Sequence, residues 1–193
     1  MRYLFFRLFL ISSFLLSCSY HDNKGNKNLT DKSVGFKLFD ISQFSKYIFM
    51  QRFNNIKKDS IINNNFNIIQ LREESEGVEW DIIYLKRDRK VYCTIENNWE
   101  DSSFVTRVSF YDPRFYLNNG ITTASKFRDV VKFIKVNDLN SSNDGSLAFI
   151  DSVDSTIVYY YDISNDKNLY YGIKSLKDVP DSLHMTSIVV NKK

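Results

Sequence analysis

Residues Val78 to Ile95 read VEWDIIYLKRDRKVYCTI and carry the clearest structural signal in the chain. Apolar and acidic residues alternate in the first half, and a charged segment separates it from a second run that contains Val91, Cys93 and Ile95. Alternation with a period of two is typical of strands that bury one face. A short polar break between two such runs indicates a tight turn. The stretch therefore predicts a β-hairpin.

The rest of the chain is also rich in strand-forming residues. It contains 12 Tyr and 16 Phe, and aromatic residues suit a pleated surface better than a helix. Besides the hairpin, strands are predicted at residues 35–40, 104–111, 147–151, 156–162, 169–174 and 187–191. Most of these runs are short and separated by polar turns, which favours an antiparallel sheet.

Two segments show the spacing of an amphipathic helix. In the first, residues 42–55, apolar residues follow Ser42, which is expected to cap the helix. In the second, Phe127, Val130, Val131 and Ile134 fall at i, i+3, i+4 and i+7. Its expected N-cap is Ser125 and the turn before it contains Gly120. The predicted fold is α+β, an antiparallel β-sheet with one or two helices packed on one face.

The first eighteen residues have the organisation of an export signal. Arg2 and Arg7 form a positive n-region, and the apolar run 8–16 is too short to span a bilayer. At its end, Leu15-Leu16-Ser17-Cys18 resembles the lipobox of bacterial lipoproteins, although Leu16 stands where a smaller residue is more usual. The resemblance implies cleavage before Cys18 and attachment of a lipid to its thiol.

This resemblance also implies an address and a domain organisation. Residues 1–17 are the expected signal peptide, 18–33 the lipidated Cys and a flexible polar tether, and 34–193 a single domain. Two or more acyl chains anchor a protein stably, and the membrane is then a partner through the lipid on Cys18. Because Ser19 rather than Asp follows Cys18, the outer membrane of the cell envelope is the favoured location. The unit from Gly120 to Ile134 resembles a strand, turn and helix unit of small envelope lipoproteins of unassigned function.

Charge and cysteine content exclude several classes of function. Of the 26 basic residues, two leave with the signal peptide, so 24 remain against 23 acidic ones. A nearly neutral chain is not typical of proteins that bind nucleic acid, and we expect no such partner. Apart from Cys18, Cys93 is the only thiol, so no disulfide can form within the domain. Cys93 lies in a predicted strand and is interpreted as a buried, inert thiol.

Candidate chemistry in the sequence is sparse. An acidic cluster, Glu73 to Asp81, could supply carboxylates to a periplasmic enzyme, but a solvated turn explains it as well. Residues 140–151 partly match a calcium loop, without the Asp required at its first position and without flanking helices. We therefore predict no catalytic residues, no metal site and no cofactor.

Aromatic residues are the remaining candidates for recognition. A sheet face with exposed Tyr and Trp often binds a protein or a glycan, and the candidates are Trp80, Trp99, Tyr159, Tyr161 and Tyr171. The first hypothesis is a non-enzymatic lipoprotein that binds another envelope protein. The alternatives are the enzyme that uses the acidic cluster, and a protein that binds a glycan or an apolar ligand.

Overall fold

A computed structural model describes residues 38–135, 140–141, 146–164 and 175–193. Its main feature is one antiparallel sheet of eight strands in the order β1-β2-β3-β4-β8-β7-β6-β5. The strands are β1 (Asn67–Ser75), β2 (Val78–Arg87), β3 (Lys90–Asn97), β4 (Val105–Phe110), β5 (Asn140–Ser141), β6 (Ser146–Ile150), β7 (Ile157–Asp162) and β8 (Met185–Asn191). The predicted strand 169–174 lies outside the described residues, as do residues 35–37 of the first predicted strand.

Two tight hairpins connect the first three strands. The turn from β1 to β2 has positive φ at Glu76 (52°) and Gly77 (79°), and the turn from β2 to β3 has positive φ at Asp88 (51°) and Arg89 (66°). Two-residue turns of this kind match the right-handed twist of the strands that they join. The predicted hairpin from Val78 to Ile95 is confirmed, and β1 adds a strand to it that the sequence pattern did not reveal.

Three short helices precede the sheet in the chain: α1 (Ile41–Phe49), α2 (Phe53–Ile56) and α3 (Ser60–Asn65). The Asp40 carboxylate caps α1 by accepting a hydrogen bond from the Gln43 backbone N–H at 3.0 Å. The predicted helix 42–55 is therefore present in part. Its N-cap is Asp40 and not Ser42, because backbone hydrogen bonds between residues 39–41 and Tyr116 fix the chain direction before Ser42 is reached.

The second predicted helix is shorter than expected. It comprises α4 (Phe127–Val130) and one 3-10 turn, Val131–Phe133. Ser125 does not cap it; the Ser125 hydroxyl instead accepts a hydrogen bond from the Thr122 backbone N–H at 3.1 Å. Gly120 does lie in the preceding turn, with φ at 82°. The four described α-helices correct the expectation of one or two.

The helices and the sheet enclose one hydrophobic core. In register across the sheet, Ile95 pairs with Val108, Val108 with Val190, and Phe110 with Ile188, so their side chains project from the same face. The strand residues of this core, which define the core face, are Ile83, Leu85, Tyr92, Cys93, Ile95, Val105, Val108, Phe110, Leu147, Phe149, Ile157, Tyr159, Tyr161, Met185, Ile188 and Val190. Buried residues of all four helices belong to the same cluster, so the protein is mostly sheet, with short helices on one face.

Candidate interaction surface

The opposite side of the sheet carries a different set of side chains, which we call the open face. Register defines it: Leu71 pairs with Ile82, Thr94 with Ser109, and Ser109 with Val189. Its members are Ile69, Leu71, Glu73, Trp80, Ile82, Tyr84, Thr94, Glu96, Arg107, Ser109, Val158, Tyr160, Ser187 and Val189. None of these residues belongs to the core cluster beneath the helices.

The first two strands bring five apolar or aromatic residues of the open face together in the edge patch, formed by Ile69, Leu71, Trp80, Ile82 and Tyr84. Leu71 is 48% exposed and Ile69 is 39% exposed. Scattered exposed leucines are normal on protein surfaces, whereas apolar neighbours in register form a patch that commonly marks an interaction site. Within the described residues, β1 pairs only with β2, so the patch lies beside a strand edge.

The edge patch contains two polar groups, the Tyr84 hydroxyl and the Trp80 indole N–H. The Tyr84 hydroxyl donates to the Glu73 carboxylate at 3.2 Å, and burial, followed by this carboxylate, raises the pKa of Tyr84. The indole N–H of Trp80 is buried without a hydrogen-bond partner among the described residues. An unsatisfied buried donor costs about 1–3 kcal/mol, and an acceptor from a binding partner would remove that cost.

Two of the predicted binding aromatics lie elsewhere. Tyr159 and Tyr161 are fully buried in the core, which removes them from the candidate surface. The Tyr159 hydroxyl donates to the Asp151 carboxylate at 2.5 Å, and the Tyr161 ring packs edge-on against Phe149 and Phe127. Side chains alternate along β7, so Tyr160, which lies between them and pairs with Ser187, is the tyrosine of this strand on the open face.

The other predicted residues fall in separate places. Trp99 is 63% exposed in the loop between β3 and β4 and is not a strand residue of the open face. Tyr171 and Cys18 lie outside the described residues. The structure therefore brings Trp80 together with Ile69, Leu71 and Tyr84, of which sequence reasoning singled out only Trp80.

The acidic cluster is divided between the two faces of the β1–β2 hairpin. Glu73 lies opposite Trp80 on the open face. On the other face the Arg72 guanidinium binds Glu79 at 3.0 Å and Asp81 at 3.4 Å. Glu76 lies in the turn before β2, as the solvated-turn interpretation predicts, whereas Glu73 and Glu74 belong to strand β1. These carboxylates do not converge on one point.

Asp151, the last residue of the partial calcium match, has a structural role. Its carboxylate accepts hydrogen bonds from the backbone N–H groups of Val153 and Asp154, both at 2.8 Å, and from Tyr159. These bonds order the loop between β6 and β7. In the part of the chain that the structure describes, no three His, Cys, Asp or Glu side chains are grouped as metal ligands.

Cys93 is buried in the core, as the sequence predicted. Burial raises the pKa of its thiol, so the thiol stays protonated and unreactive in the folded protein. Simple alternation along β3 would place Val91 and Ile95 on the same face as Cys93; Ile95 is on that face, but the register shifts between Leu85 and Lys86 and places Val91 opposite Lys86.

Comparison with known proteins gives a likeness of fold. No family model matches the sequence, and no curated protein matches it. Among the described residues, no helix has the length and hydropathy needed to cross a bilayer. The crystal structure of the uncharacterized protein yfeY from Escherichia coli superposes with a TM-score of 0.54 and 12% sequence identity, over 68% of this chain and 86% of that chain. The sheet and helix arrangement is thus shared with that protein.

Proposed function

We propose that the protein is a lipid-anchored lipoprotein of the bacterial outer membrane whose domain has no catalytic role and binds another envelope protein through the edge patch. The lipobox resemblance at Leu15-Leu16-Ser17-Cys18 supports the anchor. The edge patch supports the binding role and is the observation on which it depends. Localisation and binding are separate parts of the proposal, and each has its own test.

The binding part follows from where the exposed apolar side chains lie. Ile69 and Leu71 alternate along β1, and the nine-residue strand has one edge without a neighbour among the described residues. Long exposed strand edges are used to bind an extended segment of another protein, with backbone hydrogen bonds giving affinity and side-chain contacts giving specificity. An added strand would pair with the backbone of β1 and place its own side chains beside Ile69 and Leu71 on the open face.

Photo-crosslinking in living cells tests the binding part. A photo-reactive amino acid in place of Leu71 is expected to give a discrete adduct with one envelope protein. The same amino acid in place of Lys90, the exposed first residue of β3 at the other end of β2, serves as the matched control and should give none. Absence of an adduct at position 71, or the same adduct at both positions, would contradict the edge patch as a binding surface.

The anchor is tested by mass and fractionation. The native protein is expected to carry the mass of a diacylglyceryl group and to remain with outer membranes, whereas Cys18→Ala should lack both properties. An unmodified native Cys18 would refute the anchor and leave the crosslinking result interpretable.

A further inference from the structure

Strand β1 forms an outer edge of the sheet without several of the features that protect such edges. Its nine residues pair with β2 in an unbroken register from Asn67 to Ser75, and they include no Pro or Gly. Natural sheets limit association at their edges with bulges, prolines or very short strands. The other outermost strand, β5, comprises only Asn140–Ser141. Among the described strands, β1 therefore presents the long and regular edge.

The geometry of the β1–β2 hairpin determines which backbone groups point to this edge. Ser75 and Val78 flank the two-residue turn, so they form a hydrogen-bonded pair, and such pairs alternate along an antiparallel ladder. Every second residue of β1 therefore bonds to β2 through both its N–H and its C=O. The residues between them direct these groups outward, and they are Ile68, Gln70, Arg72 and Glu74.

A second copy of β1 fits this edge in an antiparallel register that overlaps the whole strand. In that register a twofold axis passes between the two Leu71 residues, and Gln70 of each copy lies opposite Arg72 of the other. All the outward backbone groups then meet, which gives about eight hydrogen bonds. A register centred on Arg72 would shorten the overlap and set two guanidinium groups against each other.

The full register also supplies a donor that Gln70 lacks. The side-chain amide oxygen of Gln70 is buried and has no hydrogen-bond partner among the described residues. Arg72 of the second copy would lie directly across from it, within reach of a cross-strand hydrogen bond. In its own copy Arg72 binds Glu79 and Asp81. A guanidinium has five N–H donors, so Arg72 can keep these bonds and still donate to Gln70.

The open faces of the two copies meet in a compatible way. Because the side-chain period is two, the full register keeps both open faces on the same side of the joined sheet. Leu71, which is 48% exposed, would pack against Leu71 of the second copy at the close spacing of a non-hydrogen-bonded pair. Ile69 would lie opposite Glu73, so no two carboxylates on this face are directly opposite. Pairing would therefore cover the exposed leucine.

The two ends of the β1–β2–β3 unit carry opposite charge. The end with the β1–β2 turn holds five carboxylates against the cation Arg72: Glu73, Glu74, Glu76, Glu79 and Asp81. The end with the β2–β3 turn holds four cations against Asp88: Lys86, Arg87, Arg89 and Lys90. An antiparallel pair turns one copy end for end, so the acidic end of each copy lies near the basic end of the other. Complementary potentials favour this orientation over a parallel one.

We propose that the edge of β1 pairs with β1 of a second copy of this chain and joins the two sheets into one. This inference rests on the proposed function, because it names the partner of the edge patch as a further copy of the same envelope protein. A different protein that adds its own strand to β1 is the competing occupant.

Disulfide trapping tests the register. Leu71→Cys is introduced into the full chain, which is purified from its cells in mild detergent and oxidised with copper phenanthroline. Facing residues of a non-hydrogen-bonded pair have Cα atoms about 4.5 Å apart, within the range of a disulfide. Most of the chain should therefore become a covalent dimer on electrophoresis without reductant. The unsubstituted chain reports any disulfide that Cys18 makes, and Cys93 is buried.

Ile69→Cys is the matched control on the same face of the same strand. In the full register the two copies of residue 69 are displaced by about 13 Å along the strands, so this variant should give at least tenfold less dimer. A mixture of Ile69→Cys and Glu73→Cys chains should form a disulfide that neither variant forms alone. No dimer from Leu71→Cys, or as much from Ile69→Cys, would overturn the proposal.

A proline variant tests pairing without an added thiol. Gln70→Pro removes an N–H that points to the edge and not to β2, a position where a sheet tolerates Pro. Sedimentation velocity should show a dimer for the native chain and a monomer for Gln70→Pro, with little change in urea unfolding. Gln70→Ala keeps the N–H and should remain largely dimeric. A folded Gln70→Pro chain that sediments as a dimer would contradict pairing through this edge.

The photo-crosslink at Leu71 separates this inference from the proposed function. An adduct of twice the chain's mass supports both. An adduct with a different protein, together with no disulfide from Leu71→Cys, would overturn self-pairing and keep the edge patch as a binding surface. Absence of any adduct would overturn the proposed function and the self-pairing together.

Discussion

The core face and the open face of the sheet are built from alternate residues of the same strands, yet they differ in chemistry. On the core face, large apolar side chains of the neighbouring strands from β2 to β6 lie together, and the helices cover them. On the open face, the centre has small buried residues such as Thr94, Ser109 and Ser187, while the apolar residues Ile69 and Leu71 stay exposed at the edge. The core face therefore accounts for most of the buried apolar surface, whereas the open face leaves apolar side chains exposed at its edge.

The largest expected effect is on the core face. Phe110→Ala removes a ring that packs against Phe115 at 4.8 Å and Phe44 at 5.9 Å between centres, and it should lower the free energy of unfolding by about 3–5 kcal/mol. Ser109→Ala changes the adjacent residue on the open face and should cost less than about 1 kcal/mol. Urea unfolding measures both. Equal costs would break the contrast between the faces.

The next prediction concerns the buried hydrogen bond between Tyr159, on the core face of β7, and Asp151. Asp151→Ala leaves the buried Tyr159 hydroxyl without its carboxylate and frees two backbone donors, so a loss of about 2–3 kcal/mol is expected in urea unfolding. Tyr159→Phe removes only the hydroxyl and should cost about 1 kcal/mol. A larger loss for Tyr159→Phe than for Asp151→Ala would contradict this assignment.

The pKa of Glu96 leads to a prediction of how the open face affects stability at different pH values. Burial raises the pKa of Glu96, and Arg107 at 3.3 Å opposes the shift. A raised pKa means that the folded state holds the proton more tightly, so this residue lowers stability as the pH rises from the unfolded-state pKa of about 4.3 through the folded value.

Glu96→Gln should therefore increase the free energy of unfolding near neutral pH by less than about 1 kcal/mol. It should leave that free energy nearly unchanged below a pH of about 4. Urea titrations at both pH values measure the difference. A variant that is less stable than the native chain near neutral pH would show instead that the pairing with Arg107 outweighs burial.

The smallest expected change in stability is at the edge patch. Leu71→Ser replaces a half-exposed side chain outside the core cluster and should alter the free energy of unfolding by no more than about 0.5 kcal/mol. Its effect should instead be loss of the crosslinked partner, tested with a photo-reactive amino acid at Ile69. A cost above about 2 kcal/mol in urea would assign Leu71 to the core and remove the contrast.

The sequence predicted the parts of the fold in which alternation is strong. Apolar and acidic residues alternate at the start of β2, whereas β1 carries Gln70, Arg72, Glu73 and Glu74, and of its aliphatic residues only Ile68 packs against the core, so its buried face leaves no pattern in the sequence. Which face a strand buries is set by its neighbours. Alternation therefore separated Tyr160 from Tyr159 and Tyr161 but could not say which of them the helices cover.

For the same reason, the sequence predicted only part of the candidate interaction surface. Trp80 is conspicuous because tryptophan is rare in this chain, but its neighbours Ile69 and Leu71 belong to a strand that periodicity misses. The N-cap of the first helix also could not be predicted from local sequence alone. Asp40 and Ser42 are both good capping residues, and the choice between them depends on the distant Tyr116.

Strand β8 links the two halves of the sheet, because β4 and β7 both pair with it and not with each other. It also follows every other described strand along the chain. During synthesis, β1–β4 and β6–β7 can form their hairpins early, but each half keeps an unpaired inner edge until β8 arrives. Such long-range closure makes folding slow. If the chain is exported unfolded, as the proposed signal peptide requires, this delay would help, because the sheet cannot close before residues 185–191 are available.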